Sequence, residues 1–383
     1  YRQNGQHSHY QGTLEKIIQV CPLDNPYRRR AYKDLKTLGW GADKKQTPPP
    51  APGSPEGLIA KADETAQWGE LDKAQSLYQQ VLNIEPQPSQ PVIAAAIRGI
   101  GILELTRRHY ARAVALLIQS LELQPRDRST IIHLGEAYEN LQLYDEGAKT
   151  YRKVLGRRGD GGQQVRFQYA RALRGGRHFD KAVMALDGVV NEGPTTLAGE
   201  QAKRVIREIE PQFFAEAPSE GEMAAQARQQ ARSLRDVAVA LAEVGLREKA
   251  RQYIKRARQI GGEEDVETLI AEAKLLEQEG KANESLNILS QALAKSPKDT
   301  RVLLMQATML FKQRRQSEAE QILQQILALD GTDFAAAAAL ADIYQASGRK
   351  AEARELLEKL LQQGVSAQDA EKVREKLRLL STL

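Results

Sequence analysis

The densest chemistry in the chain stands near its start, where Tyr27-Arg28-Arg29-Arg30-Ala31-Tyr32-Lys33 sets four cations beside two phenol rings. Arginine forks and a lysine ammonium grip phosphate or carboxylate oxygens, and tyrosine rings stack on bases or apolar groups. Such a cluster suits a docking element for a partner protein, or a grip on nucleic acid or another polyanion. Elsewhere the residue types that catalysis needs are scattered. His7 and His9 lie in a polar stretch, while His109, His133 and His178 stand far apart, with no partners at metal-ligand spacing. Cys21 is the single cysteine, which excludes an internal disulfide or a C-x-x-C site. Gly159-Asp160-Gly161-Gly162 reads as a turn, because no strand precedes it as a phosphate-binding loop requires. The pattern assigns no catalytic residue, metal ligand or cofactor, and the expectation is a protein that is not an enzyme.

The elements that carry these residues follow from composition and period. In 383 residues, 41% are apolar, 27% charged and only 5% aromatic. Ala, Leu, Gln, Glu, Lys and Arg dominate, the residues that lose least on entering a helix. The net charge of +5 is matched by residues 1–54 alone, which hold nine Lys/Arg against four Asp/Glu. The rest is neutral, so a basic pI gives little reason to invoke nucleic acid for it.

A chain this long normally splits into domains unless it is a repeat array growing in one dimension. A 34-residue ruler fits: its clearest copies are Ile131, Gly135, Tyr138, Tyr144, Tyr151 and Val154, and Ala337, Ala341, Tyr344, Gly348, Ala353, Leu357 and Leu360. Units fall at about 55–88, 94–127, 128–162, 163–196, 231–264, 266–299, 300–333 and 334–367. In each, a first helix carries a small residue where a second must come close: Ala62, Gly101, Gly135, Ala170, Ala238, Ala273, Ala307 and Ala341. The second helices answer with Ala74, Ala113, Gly147, Ala182, Ala250, Ser285, Ala319 and Ala353. Small residues at a crossing permit a short interaxial distance, and larger ones such as Tyr78, Leu117, Tyr151 and Leu323 fill the space between units. Pro86, Pro125, Pro194 and Pro297 mark unit ends.

On these residues the chain resembles the tetratricopeptide repeat superfamily over 55–196 and 231–367. The resemblance implies an all-α, right-handed α-solenoid of about eight helix-turn-helix repeats in two arrays. Residues 197–230 make an irregular helical junction, with Pro211, Phe213, Phe214, Pro218 and Gly221. Residues 368–383 form a capping helix through Val373, Leu377 and Leu380. Residues 1–54 are a basic leader, with Leu14, Ile17 and Ile18 in a short amphipathic turn and five prolines between Thr47 and Pro55.

The resemblance also implies a concave groove lined by first helices, where extended peptides lie. In the first array its residues are Arg98, Ile102, His133, Glu136, Asn140, Phe167, Arg171 and Arg174, an aromatic among arginines that suits an acidic or extended peptide. The carboxylate clamp of co-chaperones is absent, since its positions carry Ile59, Asp63, Gly99, Ser129 and His133. In the second array Arg232, Arg235, Lys274, Arg301, Met305 and Lys312 alternate with Glu243, Glu267, Glu277 and Asp342 and read as mixed surface.

The expected function is a non-enzymatic scaffold or adaptor in a larger assembly. The groove holds a partner polypeptide, and Tyr27, Arg28, Arg29, Arg30, Tyr32 and Lys33 supply a second dock. Two other readings stay open: a polyanion binder acting through the leader, with nucleic acid disfavoured, and an envelope assembly factor of a bacterial secretion, pilus or polysaccharide machine. No apolar run approaches a membrane span. Any membrane tie is expected to come from a removed or partner-supplied anchor, and the compartment is left between cytoplasm and periplasm.

Overall fold

A computed structural model describes residues 12–15, 17–18, 21, 23, 25–37, 50–51, 53–155, 162–213, 218–261 and 265–382. His7, His9, most of the Pro-rich stretch, 159–161 of the glycine turn and Phe214 lie outside the described residues, as does the Phe213 side chain. Among the described residues nineteen helices run between Pro26 and Thr382, and there is no strand. They fall in two compact units, Tyr1–Ala250 and Arg251–Leu383.

The first unit opens with α1 (Pro26–Thr37) and continues as four helical hairpins. These are α2 (Pro55–Gln67) with α3 (Leu71–Leu82), and α4 (Gln90–Thr106) with α5 (Tyr110–Leu123). Then come α6 (Arg128–Asn140) with α7 (Tyr144–Arg152), and α8 (Gly162–Gly175) with α9 (Phe179–Glu192). Helix α10 (Leu197–Phe213) lies against α8 and α9, and α11 (Glu220–Glu243) leads to α12 (Arg247–Gly261), whose first turn closes the unit. The second unit holds the rest of α12 and three hairpins: α13 (Val266–Gln278) with α14 (Ala282–Lys295), α15 (Thr300–Lys312) with α16 (Gln316–Leu329), and α17 (Phe334–Ala346) with α18 (Lys350–Gln362). The final helix is α19 (Ala367–Thr382).

The packing positions read from the sequence form the core. Ala62, Ala74, Ala113, Ala170, Ala182, Ala250, Ala273, Ser285, Ala307, Ala319 and Ala353 are fully buried, as are the fillers Leu117 and Tyr151. Gly101, Gly135 and Gly147 are buried too. The last repeat is closed as expected: Val373 has no exposure and Leu380 8%, with Leu377 packed beside them. One face of α19 covers the array while its charged face meets water.

Within every hairpin the chain turns the same way. The second residue past the first helix has positive φ in Gly69, Arg108, Gln142, Arg177, Gly280, Arg314 and Gly348, as does Gly245 between α11 and α12. The next amide then bonds a carbonyl five residues back, as in Glu70→Thr65, Leu143→Tyr138 and Arg349→Tyr344. This is the Schellman ending, which satisfies the free carbonyls of a helix C-terminus and needs a left-handed residue. Four of the eight positions use glycine, and four use a side chain that is strained there. Where first helices begin, Asp127, Asp265, Asp299 and Asp333 accept a backbone N–H as N-caps.

The expected junction, 197–230, proves to be α10 and the first half of α11. In α11 every residue from Glu220 to Gln226 is exposed, whereas Ala231, Ser233, Leu234, Val237, Ala238, Ala240 and Leu241 are buried. The buried half folds back on earlier repeats. Helix α11 packs on α5, Ser233 Oγ donates to the Leu141 carbonyl at 2.8 Å, and Gln119 Nε2 donates to the Val244 carbonyl at 3.3 Å. Lys249 pairs with Glu122 at 2.9 Å. Beyond the mutual contact of neighbouring hairpins, the first unit is therefore strapped across its second and third repeats.

Candidate functional site

The groove residues expected in the first array sit on α4, α6 and α8, first helices of consecutive hairpins that lie side by side. Arg98 and Ile102 come from α4, His133, Glu136 and Asn140 from α6, and Phe167, Arg171 and Arg174 from α8. Seven of the eight have accessible surface. The eighth, Phe167, is only 6% exposed and belongs to the core with Tyr151 and Ala170. It stands one helical turn before the packing residue Ala170, so its ring continues the buried stripe and offers no anchor to a ligand.

The arginines do not stand free. Arg98 Nη1 pairs with the Asp127 carboxylate at 3.0 Å, Arg171 with Glu139 at 3.4 Å and Arg174 with Glu208 at 3.0 Å. Each partner belongs to a neighbouring hairpin or to α10, so the cations tie the stack together and present a charge already balanced. Of the three, Arg171 is the most open, with a side chain 54% exposed. On the same surface the His133 ring meets the Ser129 carbonyl at 2.8 Å, and Asn140 Nδ2 donates to the Glu136 carbonyl at 2.9 Å. The result is a polar face with half-buried Ile102 among amide, imidazole and ion-paired groups.

Behind this face stand two equivalent clusters. The Tyr151 hydroxyl donates to Glu139 at 2.7 Å with Arg171 alongside, and the Tyr78 hydroxyl donates to Asp63 with Arg98 nearby. Both rings lie against glycine, Tyr151 on Gly135 and Tyr78 on Gly99, where a β-carbon would collide. Burial pushes both phenols well above their ordinary range, and the neighbouring carboxylates push them further. Burial also raises Glu139 and Asp63, while hydrogen bonds and the arginines pull the other way. These phenols stay protonated at neutral pH, and they position the helices.

In the second unit, the first helices are joined by ion pairs at repeat spacing. Arg301 meets Glu267 at 2.7 Å and Lys312 meets Glu277 at 2.6 Å, with Lys376 and Asp342 completing the series. The mixed surface read from the sequence is thus an inter-repeat ladder. Pairs this exposed contribute roughly 0–1 kcal/mol each.

The basic and aromatic cluster of the leader divides. Arg28 and Tyr32 turn inward: the Arg28 guanidinium donates to the carbonyls of Ile18 and Cys21 and to Gln67 Oε1 at 2.8 Å. Tyr32 is 7% exposed, and its ring meets Trp68 edge-on at 5.3 Å between centroids. Tyr27, Arg29, Arg30 and Lys33 face outward, and Tyr27 is 71% exposed. The leader docks on the first repeat, and a cluster read as one binding element has separate structural and surface halves.

Sequence reasoning missed the N-cap aspartates, although Asp265, Asp299 and Asp333 stand 34 residues apart and could have been found by that spacing. It also missed Glu104, a buried carboxylate held by Arg107 at 3.1 Å and His109 at 2.9 Å at the turn between α4 and α5. No cluster of three or more His, Cys, Asp or Glu suited to a metal ion occurs among the described residues. Nor is any described helix long and apolar enough to cross a membrane.

Stacked two-helix units with small residues at each crossing, Schellman turns and an accessible first-helix face define an α-helical repeat protein. The chain carries tetratricopeptide repeats: models of that repeat match residues 98–163, 276–340 and 310–377. Its general role is that of a protein-interaction scaffold, and repeats of this kind are typically non-catalytic. A comparison with curated proteins finds no significant match. Among solved structures, a tetratricopeptide repeat protein from Parabacteroides merdae is 14% identical, covering 86% of this chain and 99% of its own, at a TM-score of 0.34. MamA of AMB-1 is 19% identical over 53% of this chain and 96% of its own, at 0.31. MamA of RS-1, a double mutant, is 12% identical over 56% and 99%, at 0.34.

Proposed function

We propose that the chain is a non-enzymatic adaptor that holds an extended segment of a partner protein along the face formed by α4, α6 and α8. The observation carrying this reading is the character of that face. Ile102, His133, Glu136, Asn140, Arg171 and Arg174 remain accessible on three adjacent helices, while the surfaces between hairpins are consumed by packing. Extended peptides bind such faces through main-chain hydrogen bonds and a few anchors. The amide of Asn140 and the guanidinium of Arg171 are the groups best placed to meet a peptide backbone or a carboxylate. A ligand carboxylate at Arg171 exchanges with Glu139, so an acidic partner gains the difference between two ion pairs rather than a whole one.

The leader adds a second contact through Tyr27, Arg30 and Lys33, the outward part of its cluster. Two linked contacts raise avidity without either being strong. The inward commitment of Arg28 and Tyr32 takes one of the four cations and one of the two rings away from a polyanion, which favours the protein-binding reading.

The test places a photo-crosslinking amino acid at Ile102, at Asn140 or, as a control, at Lys295, and identifies crosslinked products from the native extract after nuclease treatment. Discrete proteins captured at Ile102 and Asn140 but not at Lys295 support the groove. Equal capture at all three positions refutes it. Capture abolished by nuclease moves the function to polyanion binding.

A further inference from the structure

The repeat period puts Ile100, Leu134, Val237 and Leu340 one place before the small crossing residues Gly101, Gly135, Ala238 and Ala341, and all four are buried. On α13 that place holds Glu272, which pairs with Arg258 at 2.9 Å. On α15 it holds Gln306, a half-buried carboxamide with no hydrogen-bond partner among the described residues. A polar side chain at an apolar place of the repeat, with its bonding left open, breaks a local rule in the way that functional positions do. Gln306 lines a cleft of about 560 Å³ between the second helices α14 and α16. Its floor is Leu286, Leu310 and Ile322, and its wall carries Ser290 and Asn287, whose carboxamide is likewise without a partner among the described residues.

The next repeat shows what closes such a cleft. There the places of Leu310, Arg315 and Ser290 are taken, 34 residues on, by Tyr344, Arg349 and Gln324. Tyr344 is buried, Arg349 covers its ring at 4.2 Å from the centroid, and Gln324 Nε2 donates to its hydroxyl at 3.4 Å. With the shorter leucine and serine in those places, the cleft of α14 and α16 stays open.

We propose that this cleft binds an extended segment of a partner polypeptide, whose peptide groups pair with Gln306 and Asn287 while one apolar side chain rests on Leu310 and Ile322. A carboxamide offers an acceptor and two donors, the complement of a peptide N–H and C=O. The lining holds no aromatic ring on which a nucleic-acid base would stack. Of its charged groups, Arg315 is held by both oxygens of Glu318, at 2.7 and 2.6 Å, and Glu284 has no ion pair among the described residues. The occupant is therefore neutral or basic, since a carboxylate would meet Glu284 uncompensated. The site lies on the second unit and does not depend on the face formed by α4, α6 and α8.

Two substitutions alter the cleft with residues that the repeat already uses at those places. Gln306→Leu removes the carboxamide and follows Leu340, and Leu310→Tyr fills the space and follows Tyr344. The probe is a phage-displayed library of random heptapeptides selected on the full chain, with recovered peptides labelled with fluorescein and followed by anisotropy. Peptides poor in Asp and Glu should be recovered, and their binding should weaken roughly tenfold or more with Gln306→Leu, with Leu310→Tyr and with N-methylation of the peptide backbone. Asn140→Ala should leave that binding unchanged, because it reads the face of the first unit, and the thermal midpoint of Gln306→Leu should equal or exceed that of the parent. The proposal is overturned if no recovered peptide loses binding with both cleft variants, if the binders are rich in Asp and Glu, or if N-methylation has no effect. A thermal midpoint lowered by Gln306→Leu would assign the carboxamide to the fold and overturn it as well.

Discussion

The ring of Tyr151 lies against the bare α-carbon of Gly135: a β-carbon there would stand 2.5 Å from ring atom Cε1. Tyr151 is fully buried and its hydroxyl is held by Glu139 of the same helix as Gly135, so the ring cannot withdraw.

Gly135→Ala should therefore destabilise the first unit by about 1–3 kcal/mol through overpacking, although Gly to Ala within a helix is normally favourable by about 1 kcal/mol. Gly188→Ala, where the added carbon has room, should show the normal sign. Urea denaturation of the two variants against the parent checks the reversal.

The left-handed turns supply a second pair of opposite signs. Arg314, at φ 63, has no ion pair among the described residues, and Arg314→Gly should stabilise the second unit by about 1 kcal/mol. Gly348, at φ 77, has nothing near its missing β-carbon, so Gly348→Ala should cost about 1 kcal/mol from backbone strain alone. Thermal unfolding of both variants reads the difference.

Arg28→Ala should release the leader from the first repeat. The change leaves the Ile18 and Cys21 carbonyls without their donor and breaks the link to Gln67, a local cost of about 1–3 kcal/mol. Trp68 then loses the cover of Tyr32, and its fluorescence should shift to the red. Trp40→Phe as background leaves Trp68 as the sole indole, since the chain has two tryptophans. An unchanged spectrum would mean that the leader is held by other contacts.

Glu279 makes the second unit acid-sensitive. The hydrogen bond from Arg251 is the largest influence, aided by Lys281, and holds its carboxyl below the ordinary glutamate range against the opposing effect of burial. A depressed folded-state pKa gives stability that is present above the ordinary value, about 4.3, and is lost as pH falls through the lower folded value. Glu279→Gln should be less stable than the parent at pH 7, and the gap should close as the pH is lowered through that window. Denaturation midpoints measured between pH 7 and pH 3 report it.

Ser233→Ala removes the bond to the Leu141 carbonyl and should cost about 1 kcal/mol, because that carbonyl loses its partner. Hydrogen exchange should accelerate in α5 and at the turn after α6. Exchange in α18 should be unaffected.

The hairpins, their crossings and the cap were legible because their determinants are local and periodic: a small residue every 34 positions is visible without coordinates. The reach of Phe167 was not, since one turn of helix separates a groove position from a core position and the resemblance sets register only to about that precision. The pairing of Arg98, Arg171 and Arg174 was hidden for a related reason. Their carboxylates lie 29 to 34 residues away in sequence, on neighbouring helices, and an inventory of residue types counts the cations without their partners. The division of the leader depended on Trp68 and Gln67, which follow it only after the Pro-rich stretch. Least legible was the return of α11, because its buried stripe fits the next repeat as well as it fits α5.

That return changes the order in which the chain can mature. A plain stack of hairpins can be completed as it leaves the ribosome, each repeat finding its neighbour within a few dozen residues. Here the bond from Ser233 reaches back 92 residues and that from Gln119 reaches forward 125. The second and third repeats must therefore wait, with the outer side of α5 uncovered, until α11 has been synthesised. A truncation before residue 220 would leave that side permanently open, and such a fragment should engage chaperones and self-associate in a way that the full chain does not.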